Sequence, residues 1–198
     1  MSEMTDIMAT EFKVQTETSV FGFDLSGFPA ELSSASEAIT DLQTKFPDST
    51  PSNVQARYMS PWKSHLITDK FEPIIKLMSE LIYKTCIDHY KMDLTALNYE
   101  LMVADCWCAI YDQGDSAVPH NHFPSDFATV VYLEMATHSA PIVFSNTLEV
   151  RSRSATALLF PGSLLHHVPP TDGRRVIVAI NFIKIPALSK KTPKSIQN

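Results

Sequence analysis

Two imidazoles stand two residues apart in Pro119-His120-Asn121-His122, shortly before the β-branched run Thr129-Val130-Val131-Tyr132. On an extended backbone residues i and i+2 share a face, so His120 and His122 can reach one ion. A further imidazole follows in Phe160-Pro161-Gly162-Ser163-Leu164-Leu165-His166-His167, where the doubling leaves His166 and His167 both open. Neutral imidazole is a ligand for iron, zinc, copper and nickel. A close pair with a distant third ligand is how a strand-built metal site reads in sequence. Chance stands beside this reading, because an H-x-H is not rare in a chain with seven histidines. Gly114 and Pro119 favour the site, since punctuation of that kind puts the pair at the mouth of a sheet.

A second chemistry lies close by. The strand-like run to His166 turns at Pro169-Pro170-Thr171-Asp172-Gly173 and returns through Arg174-Arg175. An arginine on that return strand can grip a carboxylate through a bidentate fork. Metal plus carboxylate anchor is what a 2-oxo acid requires: the keto-acid end chelates the ion and the far carboxylate meets the guanidinium.

These residues need a scaffold, and bulk composition bounds it. At 198 residues and 22.1 kDa the chain fits one domain with a substantial core. A net charge of −6 argues against a nucleic-acid-binding surface. No apolar run is long enough to span a bilayer, and Met1–Phe12 has no basic-then-apolar signal pattern. Three cysteines, Cys86, Cys106 and Cys108, are too few for a disulfide framework. Cys106 and Cys108 share a strand face and read as small buried hydrophobes, with a metal role as the alternative. A reducing, cytoplasmic location is expected.

Along the chain, residues 13–92 form a strand-and-helix part. Alternation predicts a strand over Lys13–Leu25, then a break at Pro29. A helix is expected from Ala35 to about Phe46, capped by Ser33 or Ser34, with Ala38, Ile39 and Leu42 on one side. Asn53–Ile67 shows no clear period, and its His65 reads as structural or exposed. The clearest helix runs from Thr68 or Asp69 to about Tyr90. It has Pro73 in its first turn and a buried face of Phe71, Ile75, Met78, Ile82 and Cys86. His89 near its end suits the negative end of the helix dipole.

From Tyr99 six β-rich runs succeed one another, and the region of about 99–183 reads as an antiparallel sandwich or barrel. The fold class is α+β, mainly β, with N-terminal helices buttressing the sheets. The Lys-rich tail, 186–198, reads as a frayed end.

Here the chain resembles the phage- and bacterium-encoded 2-oxoglutarate/Fe(II)-dependent oxygenases, over roughly Ala56 to Phe182. That family shows a tryptophan strand ending in glycine, an H-x-H, a valine/tyrosine strand, F-P-S-x-L-x-H-x-V and R-I-S-I-S-F-N. Trp107 and Gly114, His120-Asn121-His122, Val130 with Tyr132-Leu133, Phe160-Pro161 with Leu164, His166 and Val168, and Arg175 to Asn181 carry it. The resemblance implies a double-stranded β-helix, also described as a jelly roll or cupin-like fold. It implies Fe(II) held by His120, His122 and His166, and 2-oxoglutarate as cosubstrate. It selects His166 over His167 and Arg175 over Arg174. Arg175 would meet the cosubstrate carboxylate. Tyr111 resembles the tyrosine that assists the arginine in prolyl-hydroxylase-like relatives, with a packing role as the alternative. The implied activity is hydroxylation coupled to oxidative decarboxylation of 2-oxoglutarate, on a primary substrate the residues do not name. The chain departs where His122 stands in place of the wider superfamily's carboxylate, where Phe123 replaces proline, and where Ala128-Thr129 replaces serine–glycine.

Two other readings fit. In a cupin, Gly114, His120 and His122 satisfy G-x5-H-x-H, Asp126 is an acidic fourth ligand, and no 2-oxo acid is used. A non-enzymatic β-sandwich with a lost site is the third.

Overall fold

Period-two alternation in two long strands separates the chain into layers. A computed structural model describes residues 17–187. The elements are β1 (Phe21–Asp24), α1 (Pro29–Lys45), β2 (Val54–Gln55), β3 (Tyr58–Met59), α2 (Glu72–Asp88), β4 (Tyr99–Tyr111) and β5 (Ser116–His120). They continue as β6 (Phe127–Met135), β7 (Ile142–Phe144), β8 (Leu148–Val150), β9 (Thr156–Pro161), β10 (His166–Val168) and β11 (Arg175–Pro186). Short 3-10 turns cover Ser64–Leu66 and Asp69–Phe71.

Two antiparallel sheets result. One has the order β1-β9-β6-β11-β4-β3 and the other β2-β5-β10-β7-β8. In β4, Cys106, Cys108 and Ile110 face the helices, and Trp107, Ala109 and Tyr111 face the second sheet. In β11, Val176, Val178 and Ile180 face the helices while Ile177 and Ala179 face between the sheets. The fold is a double-stranded β-helix with helices laid on the six-stranded sheet, the expected class. Cys86, Cys106 and Cys108 are free and buried, Cys106 and Cys108 under the helices. Burial pushes the Cys108 thiol up to about 11 and raises Cys106 further, so both stay protonated.

The six expected β runs all contain strands, but β2, β3, β5 and β10 are too short for their period to show. The first strand is shorter than expected. Among the described residues only Phe21–Asp24 pairs, against Thr156–Leu159 of β9; residues 17–20 are irregular, and Lys13–Thr16 lie outside the described residues, as do 1–12 and 188–198. Backbone groups without a neighbouring strand gain nothing from extension.

Pro29 starts a helix rather than breaking one. It occupies the first turn of α1, where its missing N–H has no intrahelical partner to lose. Neither Ser33 nor Ser34 caps: both are inside the helix, and Ser34 Oγ instead donates to the carbonyl of Lys70. Its buried face, Ala35, Ala38, Ile39 and Leu42, contains the three residues expected there.

The second helix starts later than expected. Thr68 accepts a hydrogen bond from the Lys70 N–H, a 3-10 turn follows, and α2 proper begins at Glu72. The expected face is kept: Phe71, Met78, Ile82 and Cys86 are buried, Ile75 is partly buried against the same core, and Ile74 and Leu77 widen the stripe. Each fully buried aliphatic side chain contributes about 1.5–3 kcal/mol. His89 follows α2, with its ring 4.7 Å from that of Phe21.

Candidate metal centre

The site lies where β5 and β10 pair across the five-stranded sheet. His120, the last residue of β5, is the direct cross-strand partner of His166, the first of β10. His122 lies beyond β5, in the turn leading to β6. The i, i+2 argument for an extended strand therefore does not place it. The turn does: the His122 N–H donates to the Gly162 carbonyl at 2.6 Å, and the Ser125 N–H donates to the His122 carbonyl at 2.8 Å.

The three rings converge. Centroids are 5.2 Å apart for His120–His122, 4.3 Å for His120–His166 and 4.9 Å for His122–His166. One ligating nitrogen from each lies within 4.8 Å of the others. Among the described residues this is the one cluster of three or more histidine, cysteine or acidic side chains able to share an ion. Trp107 and Phe160 wall it, at 5.6 Å from His122 and 4.9 Å from His166.

Backbone carbonyls orient two of the rings. His120 Nδ1 lies 2.7 Å from the Val118 oxygen and His166 Nδ1 2.9 Å from that of Leu164. A carbonyl only accepts, so Nδ1 carries the proton and Nε2 keeps its lone pair. Burial, then the neighbouring His166 and His120, holds His122 down at about 3. Burial, then His120, holds His166 at about 4, and burial lowers His120 as well. All three imidazoles are neutral at pH 7, the form that binds a metal.

Arg175 lies deeper. It is 2% exposed, with its guanidinium 4.8 Å from the Tyr111 ring and 5.5 Å from that of Tyr132. Nη1 donates to the Ala140 carbonyl at 3.3 Å, and Nε has no partner. No carboxylate lies within ion-pair distance among the described residues; Arg174 takes Asp112 and Glu134 instead. Arg175, Tyr111 and the three histidines line one narrow cavity of about 30 Å³. Over it opens a groove of about 850 Å³, lined in part by Trp62, His65, Asp105, Trp107, His120, His122 and Asn181.

Asp126 is committed elsewhere. Its Oδ2 accepts the Lys184 N–H at 2.7 Å and its Oδ1 pairs with the Lys184 ammonium at 3.1 Å, so the acidic ligand of the cupin reading is missing. Local sequence marks Tyr132 only through its inward parity with Val130 on β6 and Asn181 through its parity with Arg175 on β11, and nothing local marks Gly162.

No protein-family description matches the chain, and no curated protein matches it in sequence. Solved structures do. The prolyl hydroxylase of Trichoplax adhaerens, in complex with a hypoxia inducible factor oxygen degradation domain peptide fragment, superposes with a TM-score of 0.60 at 15% identity, over 83% of each chain. SnoK, a non-heme alpha ketoglutarate dependent carbocyclase from nogalamycin biosynthesis, gives 0.63 at 7% identity, over 88% of this chain and 85% of that one. HygX from Streptomyces hygroscopicus, with nickel and 2-oxoglutarate bound, gives 0.55 at 12%, over 83% and 82%. At such identities the likeness is one of architecture, and the chain has the double-stranded β-helix fold that these structures share.

Proposed function

We propose that the chain is an Fe(II)/2-oxoglutarate-dependent oxygenase, converting 2-oxoglutarate, O2 and a substrate C–H into succinate, CO2 and an alcohol. The observation that carries this reading is Arg175, a buried cation without a protein carboxylate in the cavity of the three histidines. Desolvating an unpaired charge costs several kcal/mol, and a dicarboxylate offsets that cost. The neighbours SnoK and HygX, named for alpha ketoglutarate dependence and bound 2-oxoglutarate, support it.

His120, His122 and His166 would hold the ion, His120 and His166 through the Nε2 that their backbone bonds leave free. Bound Fe(II) would supply the O2 activation and oxidation that couple decarboxylation to hydroxylation. The chain's own residues bind and enclose. Arg175 anchors the far carboxylate, Tyr111 and Tyr132 flank it, and Trp107 and Phe160 wall the histidines on the sheet side. The cavity has room for a water or two as it stands, so seating a five-carbon diacid requires its side chains to move apart.

Free cysteines and the acidic balance fit a single-domain protein of the cytoplasm, a host's if it is phage-encoded, acting on something other than nucleic acid. The test is iron content after anaerobic reconstitution, followed by succinate release on adding 2-oxoglutarate and air. About one iron per chain and succinate above the protein-free control are expected. Iron uptake without succinate would leave a metal-binding protein of cupin type, and no iron uptake would end the reading.

A further inference from the structure

Five buried side-chain polar atoms among the described residues lack a partner: Tyr58 Oη, His65 Nδ1, Tyr132 Oη, Arg175 Nε and Asn181 Oδ1. Buried polar atoms are nearly always hydrogen-bonded, and each exception asks for a cause. Tyr132 and Arg175 belong to the cosubstrate end. Of the other three, His65 and Asn181 lie in the wall of the 850 Å³ groove above the histidines.

They come from different parts of the chain. Asn181, 4% exposed, is on β11, and its direct cross-strand partner on β4 is Asp105, which also lines the groove. His65 comes from the 3-10 turn Ser64–Leu66. Asp105 has no ion-pair partner among the described residues. The wall thus presents the Asp105 carboxylate, which only accepts, and the Asn181 amide, whose unpartnered atom is its accepting oxygen, with a neutral imidazole beside them; burial lowers the basicity of His65. An anion placed there would meet Asp105 with one rim cation, Lys63, near it. A nitrogen bearing N–H groups satisfies the acceptors.

We propose that Asn181, Asp105 and His65 form a recognition subsite for an N–H-donating nitrogen of the primary substrate, a guanidinium, ammonium or amide, held while a nearby C–H faces the histidines. The inference rests on the groove being the substrate channel of the oxygenase proposed above.

Tryptophan fluorescence tests it, because both tryptophans of the chain, Trp62 and Trp107, line the groove with ring centroids 4.8 Å apart. The full chain with Fe(II) and 2-oxoglutarate under argon is titrated with n-butylguanidinium, n-butyramide and butyrate. At least one donor fragment should bind about tenfold more tightly than butyrate. Asn181→Leu should remove that preference, and Asn181→Asp, which keeps an acceptor, should restore it for the guanidinium. Asp105→Asn should weaken the guanidinium and spare the amide, which separates charged from neutral donors. If Asn181→Leu does not fold, His65→Phe, which keeps the ring and removes the nitrogen, should weaken the preferred donor at least threefold. Equal affinity for all three fragments, or a preference that survives these changes, overturns the proposal. Repeating the titration without Fe(II) and 2-oxoglutarate keeps the two readings apart. Donor preference in a chain that does not bind 2-oxoglutarate supports the subsite and counts against the oxygenase. Cosubstrate binding without donor preference does the reverse.

Discussion

Arg174 and Arg175 are adjacent in sequence and opposite in environment. Arg174 is half exposed and paired with Asp112 at 3.2 Å and Glu134 at 3.3 Å, while Arg175 is 2% exposed between Tyr111 and Tyr132 with no acid beside it. Arg175→Leu should weaken 2-oxoglutarate binding about 10- to 100-fold, the worth of a charge-assisted hydrogen-bonded pair. The same change should stabilise the ligand-free protein by about 1 kcal/mol or more, since it removes an uncompensated buried charge. Arg174→Leu should alter neither quantity by more than about 1 kcal/mol, as for surface pairs generally. Calorimetric titration and urea unfolding check both, and equal effects at the two positions would be the damaging result.

The doubled histidine makes a second contrast. His166 and His167 point to opposite faces of β10, and only His166 joins the cluster. His166→Ala should lower Fe(II) affinity by about 100-fold or more, beyond the 10- to 100-fold loss usual for groups that merely orient a ligand. His167→Ala should leave it within about threefold. Competition with a chromophoric chelator measures both, and comparable losses would place the ion elsewhere.

Proton linkage gives a third prediction. In the metal-free fold His122 and His166 titrate near 3 and 4, against 6.5 for a free imidazole, and His120 is lowered too. Between those values the unfolded chain binds more protons than the folded one. Stability should therefore be complete above about pH 6.5 and fall as pH drops below it, by up to about 1.4 kcal/mol per pH unit for each histidine. Urea unfolding at pH 7.5, 6 and 5 should show this slope for the metal-free protein, and His122→Asn should lose part of it. A flat profile from pH 7 to 5 would mean that the rings are already solvated.

Gly162 supplies the fourth. A Cβ there would lie 2.1 Å from the Ser125 carbonyl oxygen, within the turn that carries His122. Gly162 also accepts from the His122 N–H and donates to the Asp126 carbonyl. Gly162→Ala should cost about 2–4 kcal/mol of stability and weaken Fe(II) binding about tenfold through displacement of His122. Thermal melts with and without metal test the coupling. A destabilised variant with unchanged iron affinity would show that the turn does not position the ligand.

How much of this the chain declares by itself follows from the range of each interaction. Backbone period is local, so the β-rich run from Tyr99 announces a strand, and on a strand Arg174-Arg175 announces that only one guanidinium can point inward. The His120–His122 spacing proposes a pair, and the resemblance of the surrounding motifs names His166 and Arg175. Other features depend on partners far away in sequence. His122 reaches the cluster because Gly162, forty residues on, takes its N–H, and His166 because β10 pairs with β5. Pro29 depends on distant packing in a related way: the same residue ends or begins a helix according to a turn that only packing selects. Local sequence determined the periods, the inward faces and the chemistry on offer; long-range strand pairing and sterics decided which groups meet, because free energies of contact between distant residues are written in no single stretch of chain.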